Sequence, residues 1–78
     1  MELKQILGAN IVIKRKQKSI TQQMLASMSD ISISHLRNIE HGVGNTTVDV
    51  LERISRSLGI KPSHLLIPDR GYKKRKSQ

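Results

Sequence analysis

The sequence has no cysteine, phenylalanine or tryptophan, and Tyr72 is its only aromatic residue. Without cysteine the chain can form neither a disulfide framework nor a thiolate metal site, which fits a reducing cytosol. Without further aromatic side chains it lacks the platforms on which single-stranded nucleic acids stack their bases. The small core of a 78-residue domain therefore has to consist of leucine, isoleucine, valine and methionine.

Acidic residues are also scarce. The chain has 14 Lys and Arg against 6 Asp and Glu, which gives a net charge of +8 at pH 7. A strong positive charge favours polyanionic partners, of which nucleic acid is the most frequent. Because stacking platforms are missing, we expect double-stranded DNA, with RNA as a weaker alternative. A generally basic protein and a binder of anionic membrane surfaces would have the same charge.

No apolar run is long enough for a signal peptide or a membrane span, so we expect a cytoplasmic, nucleoid-associated protein with no membrane contact. The residue pattern also argues against an enzyme. His35, His41 and His64 lack metal-site spacing, Asp30 and Glu40 are not arranged as an acid–base pair, and there is no Gly-rich phosphate loop. We expect no metal, no cofactor and no small-molecule ligand.

The spacing of apolar residues predicts an all-α domain without strands. Five helices are expected, at residues 3–18, 22–28, 33–41, 48–58 and 62–66. Thr21 and Ser32 are expected to cap the second and third helices, and either Thr46 or Thr47 the fourth. The domain is expected to span residues 1–68, followed by a basic, disordered tail at 69–78.

The helical pattern also predicts which side chains form the core. In the second and third helices these are Met24, Leu25, Met28, Leu36 and Ile39, and in the fourth helix they are Val48, Leu51, Ile54 and Leu58. Val12 and Ile13 interrupt the apolar stripe of the first helix, so one of them is expected to be exposed or to meet a partner.

Several short motifs occur in an order and at a spacing that resemble the Cro/phage-repressor type of helix-turn-helix family. They are Leu7-Gly8, Arg15, Ile20-Thr21-Gln22, Leu25-Ala26, Ile31-Ser32, Leu36, Ile39-Glu40 with Gly42, and Leu51, Ile54 and Leu58-Gly59. The resemblance implies a five-helix lambda-repressor-like fold, with the helix-turn-helix formed by helices 2 and 3. The family often has glycine where this chain has Ser19 and Asp30, so both residues are expected in the left-handed region at a cost of about 1 kcal/mol each.

The resemblance further implies roles for the polar residues of this unit. Arg15 and Glu40 would form an ion pair that ties helix 1 to the end of helix 3, unless both charges are exposed and never meet. In the recognition helix Arg37 can bond to guanine and Asn38 to adenine. The expected base-reading residues are Ile33, Ser34, His35, Arg37 and Asn38, although a solvated surface position is equally compatible with His35. The expected phosphate-binding residues are Thr21, Gln22, Gln23, His41, Gly44, Asn45, Thr46 and Thr47.

Members of the family pair through the helix 4–5 region, which implies a homodimer on a palindromic operator with recognition helices about 34 Å apart. The expected interface residues are Ile60, Leu65, Leu66 and Ile67. The alternative is that these side chains complete the core of the monomer, and Val12 or Ile13 offers a further interface.

The tail residues Lys73, Lys74, Arg75 and Lys76 are expected to add salt-dependent, sequence-independent affinity, or else to be merely solvated. The small size and the loop at residues 45–47 favour a controller protein of a restriction–modification system, which would act by occupying a promoter or by contacting RNA polymerase. The alternative from another class is an antitoxin-like protein-interaction module of the same fold that binds a toxin and autoregulates.

Overall fold

The computed structural model describes residues 3–71, which form four α-helices and one short 3₁₀ helix. The α-helices are α1 (Leu3–Gln17), α2 (Gln22–Met28), α3 (Ile33–Glu40) and α4 (Val48–Leu58), and the 3₁₀ helix covers Pro62–Leu65. The all-α class is confirmed, and α1 and α3 each end one residue earlier than predicted. None of the helices in this range has the length and apolar character needed to cross a membrane.

The fifth α-helix is not confirmed, because the segment after α4 is a 3₁₀ helix of four residues. Its hydrogen bonds span three residues, as between the His64 N–H and the Lys61 carbonyl at 2.9 Å. Lys61 supplies no side-chain cap, and Pro68 follows shortly after with no N–H to donate. Such a short segment settles into the tighter 3₁₀ geometry.

Three side-chain hydroxyl groups cap the N-termini of α2, α3 and α4. The side chains of Thr21, Ser32 and Thr47 each accept a hydrogen bond at 3.0 Å from the backbone N–H three residues further on. These bonds satisfy amides that have no partner within the helix. The cap of α4 is therefore Thr47 and not Thr46.

One apolar core holds the helices together. Its fully or nearly fully buried members are Leu7, Ile11, Leu25, Ala26, Leu36, Ile39, Val50, Ile54, Leu58 and Leu65. Val48 was predicted to face this core but is 82% exposed. The prediction is wrong because the inward stripe of α4 runs through Val50, Ile54 and Leu58, and two residues along a helix rotate a side chain by about 200°.

Met24 and Met28 were also predicted as core residues, and they are about half exposed, at 49% and 52%. α2 buries Leu25 and Ala26 instead. The two methionines are four residues apart and so share one face of α2, which points away from the core. Only two of the four apolar side chains of α2 therefore contribute to the core.

The segment after the 3₁₀ helix is fastened to α1 by Asn10, which is fully buried. Its amide nitrogen donates to the carbonyl oxygens of Leu65 at 3.0 Å and Ile67 at 2.7 Å, and its side-chain oxygen accepts from the Asp69 N–H at 3.3 Å. Asn10 thus links the first helix to backbone more than 50 residues away.

An ion pair strengthens this attachment. The Lys14 ammonium lies 3.2 Å from the Asp69 carboxylate, which also accepts a hydrogen bond from the Gly71 N–H at 2.9 Å. The Gly71 N–H and the Lys14 ammonium both stabilise the charged carboxylate, so the pKa of Asp69 is lowered from its ordinary value of 3.8. The contribution of this ion pair is present above that ordinary value and is lost as the pH falls through the lowered pKa.

Candidate nucleic-acid interface

α3 has one face in the core and one face in solvent. Leu36 and Ile39 are buried, and the whole Glu40 residue beside them is only 5% exposed. On the other face Arg37 and Asn38 are exposed, as is Ser34 one turn earlier. Of the remaining residues predicted to contact bases, Ile33 and His35 are partly buried. The exposed set offers one hydroxyl, one guanidinium and one amide.

A buried ion pair joins α1 to the end of α3, as predicted. The Arg15 Nε donates to one Glu40 oxygen at 2.8 Å and its Nη2 donates to the other at 3.2 Å. The two side chains are only 11% and 4% exposed. The remaining Arg15 Nη1 donates to the carbonyl of Ile20 at 3.1 Å, so the same guanidinium also fixes the link between α1 and α2.

Gln22 extends this ion pair toward the exposed face of α3. Its amide nitrogen donates to Glu40 Oε1 at 2.8 Å, and its amide oxygen accepts from Arg37 Nε at 3.5 Å. Gln22 was predicted as a phosphate ligand, and in the structure it has two protein partners. One hydrogen of its amide group is not used by these contacts.

The turn between α2 and α3 contains Asp30 in the left-handed conformation, with φ of 57°. Ser19, in the link before α2, has φ of 56°, so both predicted left-handed residues are confirmed. Arg53 of α4 braces the turn, since its Nη1 donates to the carbonyls of Ser29 and Asp30 at 3.2 and 3.0 Å. These contacts tie the turn between α2 and α3 to α4.

The loop from α3 to α4 contains the remaining predicted phosphate ligands. Gly44 lies in the left-handed region and is exposed, as is Asn45, whereas Thr46 is partly buried. The His41 ring nitrogen Nδ1 lies 2.9 Å from the Arg37 carbonyl, so this side chain caps the end of α3. The Thr47 hydroxyl already accepts the capping bond of α4, although its own hydrogen can still be donated.

Two basic residues near these elements had no role in the sequence analysis. Lys4 of α1 lies 3.1 Å from Asn45 Oδ1, which adds an exposed positive charge to the α3–α4 loop. Arg53 braces the helix-turn-helix turn from α4. Sequence spacing contains no sign of either contact, because each joins segments that only the packing of the helices brings together.

Metal binding has no support between residues 3 and 71, where no three His, Asp or Glu side chains are placed to share an ion. The basic tail at 73–76 lies outside the described residues.

A model of the helix-turn-helix family matches residues 11–65 of the chain. The chain belongs to this family. It is 33% identical over 54 residues to the control protein C.BamHI of Bacillus amyloliquefaciens, a match that covers 69% of this chain and 67% of that protein. It is 29% identical over 68 residues to an uncharacterized HTH-type transcriptional regulator, y4dJ, of Sinorhizobium fredii, which covers 87% of this chain and 88% of that protein.

A solved structure of the same fold is that of the restriction–modification controller protein C.AhdI from Aeromonas hydrophila. The two structures superpose with a TM-score of 0.77 at 24% sequence identity, over 80% of this chain and 94% of that one. The resemblance to the Cro/phage-repressor type is thus confirmed by family and by fold. The chain is a DNA-binding transcriptional regulator, and the relatives named here are regulators and not enzymes.

Proposed function

We propose that the protein binds double-stranded DNA as a homodimer on a palindromic operator, with α3 of each copy in the major groove. The observation that supports this most directly is the division of α3 into two faces. Leu36, Ile39 and Glu40 anchor the helix, while Ser34, Arg37 and Asn38 are exposed. A rigidly held helix with exposed hydrogen-bonding side chains is what a major-groove reader requires.

Among the exposed residues, Arg37 is assigned to guanine and Asn38 to adenine, because their side chains can form paired hydrogen bonds to those bases. Ser34 is assigned a single hydrogen bond. Ile33 and His35 are partly buried, so each would present only its outer atoms to a base. Discrimination is therefore assigned mainly to Arg37 and Asn38.

Phosphate contacts are assigned to the two segments that flank α3. On one side are Thr21 and Gln23, as the family resemblance implies, whereas the polar atoms of Gln22 already contact Glu40 and Arg37. On the other side the loop at residues 44–47 presents backbone amides, with the His41 side chain beside it and the Lys4 ammonium reaching Asn45. The basic tail is assigned a sequence-independent contribution through counterion release.

The dimer is assigned to the surface formed by Ile60, Leu66 and Ile67. Ile67 is 61% exposed, while Ile60 and Leu66 are partly buried against the core. Leu65 does not belong to this surface, because it is fully buried within the monomer. That part of the predicted interface was wrong, since the 3₁₀ helix turns Leu65 toward α4 and α1.

The protein is proposed to regulate its own promoter together with restriction–modification genes. The similarity to control protein C.BamHI, over two thirds of both chains, supports this choice. Regulation would follow from operator occupancy, with contact to RNA polymerase as the route to activation.

The test begins with selection of bound duplexes from a random pool, which defines the operator. Arg37→Ala should then weaken operator binding by about 1–3 kcal/mol and relax the preference at one base-pair position of each half-site. The matched control is Arg56→Ala, since Arg56 lies exposed on α4 and should leave that preference unchanged. Equal losses on operator and random duplex would reduce Arg37 to a phosphate contact and contradict its assigned role.

A further inference from the structure

Gln22 connects the buried ion pair to the exposed guanidinium of α3. It is partly buried, and both polar atoms of its side chain have a partner. The amide nitrogen is 2.8 Å from Glu40 Oε1, and the amide oxygen is 3.5 Å from Arg37 Nε. The chain of contacts therefore runs from Arg15 through Glu40 and Gln22 to Arg37.

The orientation of the Gln22 amide follows from the chemistry of Glu40. An ionised carboxylate only accepts hydrogen bonds, so the group that faces it must be the NH₂ end of the amide. Glu40 is itself oriented by two hydrogen bonds from Arg15, at 2.8 and 3.2 Å. The amide oxygen of Gln22 consequently points to the other side, where Arg37 lies.

The contact engages one particular nitrogen of Arg37. Nε is the donor to Gln22, which leaves the two terminal nitrogens, Nη1 and Nη2, free of this bond. Those two nitrogens form the end-on fork that fits O6 and N7 of guanine. An exposed arginine otherwise samples many rotamers, and fixing it on binding has an entropic cost that a preformed contact reduces.

We propose that Gln22 is a positioning residue for base recognition, holding the Arg37 guanidinium through Nε so that its terminal nitrogens meet guanine. The inference rests on the proposed function, because it takes Arg37 to be a base-reading residue. It differs from the phosphate role that the family resemblance implies for Gln22. A phosphate contact strengthens binding to every duplex, whereas positioning of Arg37 strengthens discrimination at one base pair.

The experiment measures Kd for the selected operator, for the operator substituted at the Arg37 base pair, and for a random duplex. Gln22→Met keeps a straight, helix-compatible side chain but removes the amide groups that contact Glu40 and Arg37. Gln23→Met is the matched control, since Gln23 is the exposed neighbour of the same type. Both substitutions are also made in the Arg37→Ala background, and the urea midpoint of each variant confirms that it is folded.

Gln22→Met should reduce discrimination at the Arg37 base pair by about 3- to 10-fold, which corresponds to one side chain losing its preorganisation. Gln23→Met should weaken the three duplexes by the same factor, as loss of a phosphate contact does, and so leave the ratio unchanged. Gln22→Met should also leave the ratio unchanged once Arg37 is alanine. If Gln22→Met weakened all three duplexes equally, Gln22 would be a phosphate or folding contact and the inference would be overturned. If Arg37→Ala alone left discrimination intact, the base-reading role of Arg37 would be contradicted. This outcome is distinguishable because Arg37→Ala is measured with Gln22 in place.

Discussion

At the scale of the residue, the charge of Glu40 determines much of the geometry around α3. Its side chain is 4% exposed, and the carboxylate accepts two hydrogen bonds from Arg15 and one from Gln22. A buried carboxylate is tolerated only when it is paired and hydrogen-bonded in this way. The three donors come from α1 and α2, so one acidic side chain fixes the end of α3 to both preceding helices.

Removal of the positive partner should therefore be costly. Arg15→Met is expected to lower the free energy of unfolding by about 3–5 kcal/mol, because the buried Glu40 carboxylate would lose its ionic partner and two of its three hydrogen-bond donors. Urea unfolding followed by circular dichroism measures the effect. Lys16→Met, at the exposed neighbouring position, serves as control and should change stability by no more than about 0.5 kcal/mol. Equal unfolding midpoints for the two variants would contradict a structural role of the ion pair.

The pair of Arg15 with Glu40 was predictable because both residues belong to the sequence motifs of the family. The contacts of Gln22 were not, since they join residues 18 and 15 positions apart. Whether a glutamine reaches a carboxylate or a phosphate depends on side-chain directions at a helix crossing. Sequence spacing does not contain that information.

At the scale of the element, the approach of α1 to α3 depends on Gly8. A Cβ atom at this position would lie 2.5 Å from the carbonyl oxygen of Ile39 and 2.6 Å from that of Glu40. Both neighbours are backbone atoms and cannot move as a side chain does. The absence of a side chain at Gly8 is what allows the two helices to come close enough for the Arg15–Glu40 bonds.

Gly8→Ala is accordingly expected to destabilise the fold by about 1–3 kcal/mol through overpacking, despite the better helix propensity of alanine. It should also shift the amide NMR signals of α3. Gly59→Ala is the comparison, because Gly59 has φ of 69° with no atom within 4 Å of its would-be Cβ. Its cost should be backbone strain of about 1–2 kcal/mol, with the signals of α3 unaffected. Shifts confined to α1 in Gly8→Ala would argue against a spacing role.

Helix positions were predictable to within a residue because caps and apolar periodicity are local properties. The orientation of single side chains was less so. The apolar patterns of α2 and α4 did not show that Met24, Met28 and Val48 face solvent, because the phase of a short helix depends on what packs against it. The contact from Arg53 to the turn at Asp30 was not predictable either, because it joins α4 to backbone 23 residues earlier.

At the scale of the whole molecule, the strong positive charge and the exposed apolar residues are assigned to different interactions, the first with DNA and the second between two copies of the chain. A net charge of +8 raises affinity for any duplex, and this affinity should fall steeply with salt. Pairing of two copies instead requires apolar surface. Leu66 lines an apolar groove with Leu3, Val48 and Leu51, next to the chain segment that contains Ile67.

Ile67→Asp should weaken self-association and, through it, operator binding, because a charge would be buried in the paired surface. Sedimentation velocity over a range of protein concentrations measures the monomer–dimer midpoint, with thermal unfolding as the check on folding. Leu65→Ala provides the contrast, since this fully buried side chain should cost about 2–5 kcal/mol of monomer stability. An unchanged midpoint in Ile67→Asp would exclude this surface as the interface.

The amide of Asn10 has a consequence for the order in which the chain is made. It is buried in α1, yet the carbonyl groups it binds follow it by 54 to 57 residues. During synthesis at roughly 5–20 residues per second, α1 is therefore finished seconds before its polar partner exists. Until then the side chain of Asn10 has to remain hydrated, and the first helix cannot reach its final burial while the ribosome is still adding residues 64–67. Completion of the domain is thus coupled to the synthesis of the 3₁₀ helix and of the residues that directly follow it.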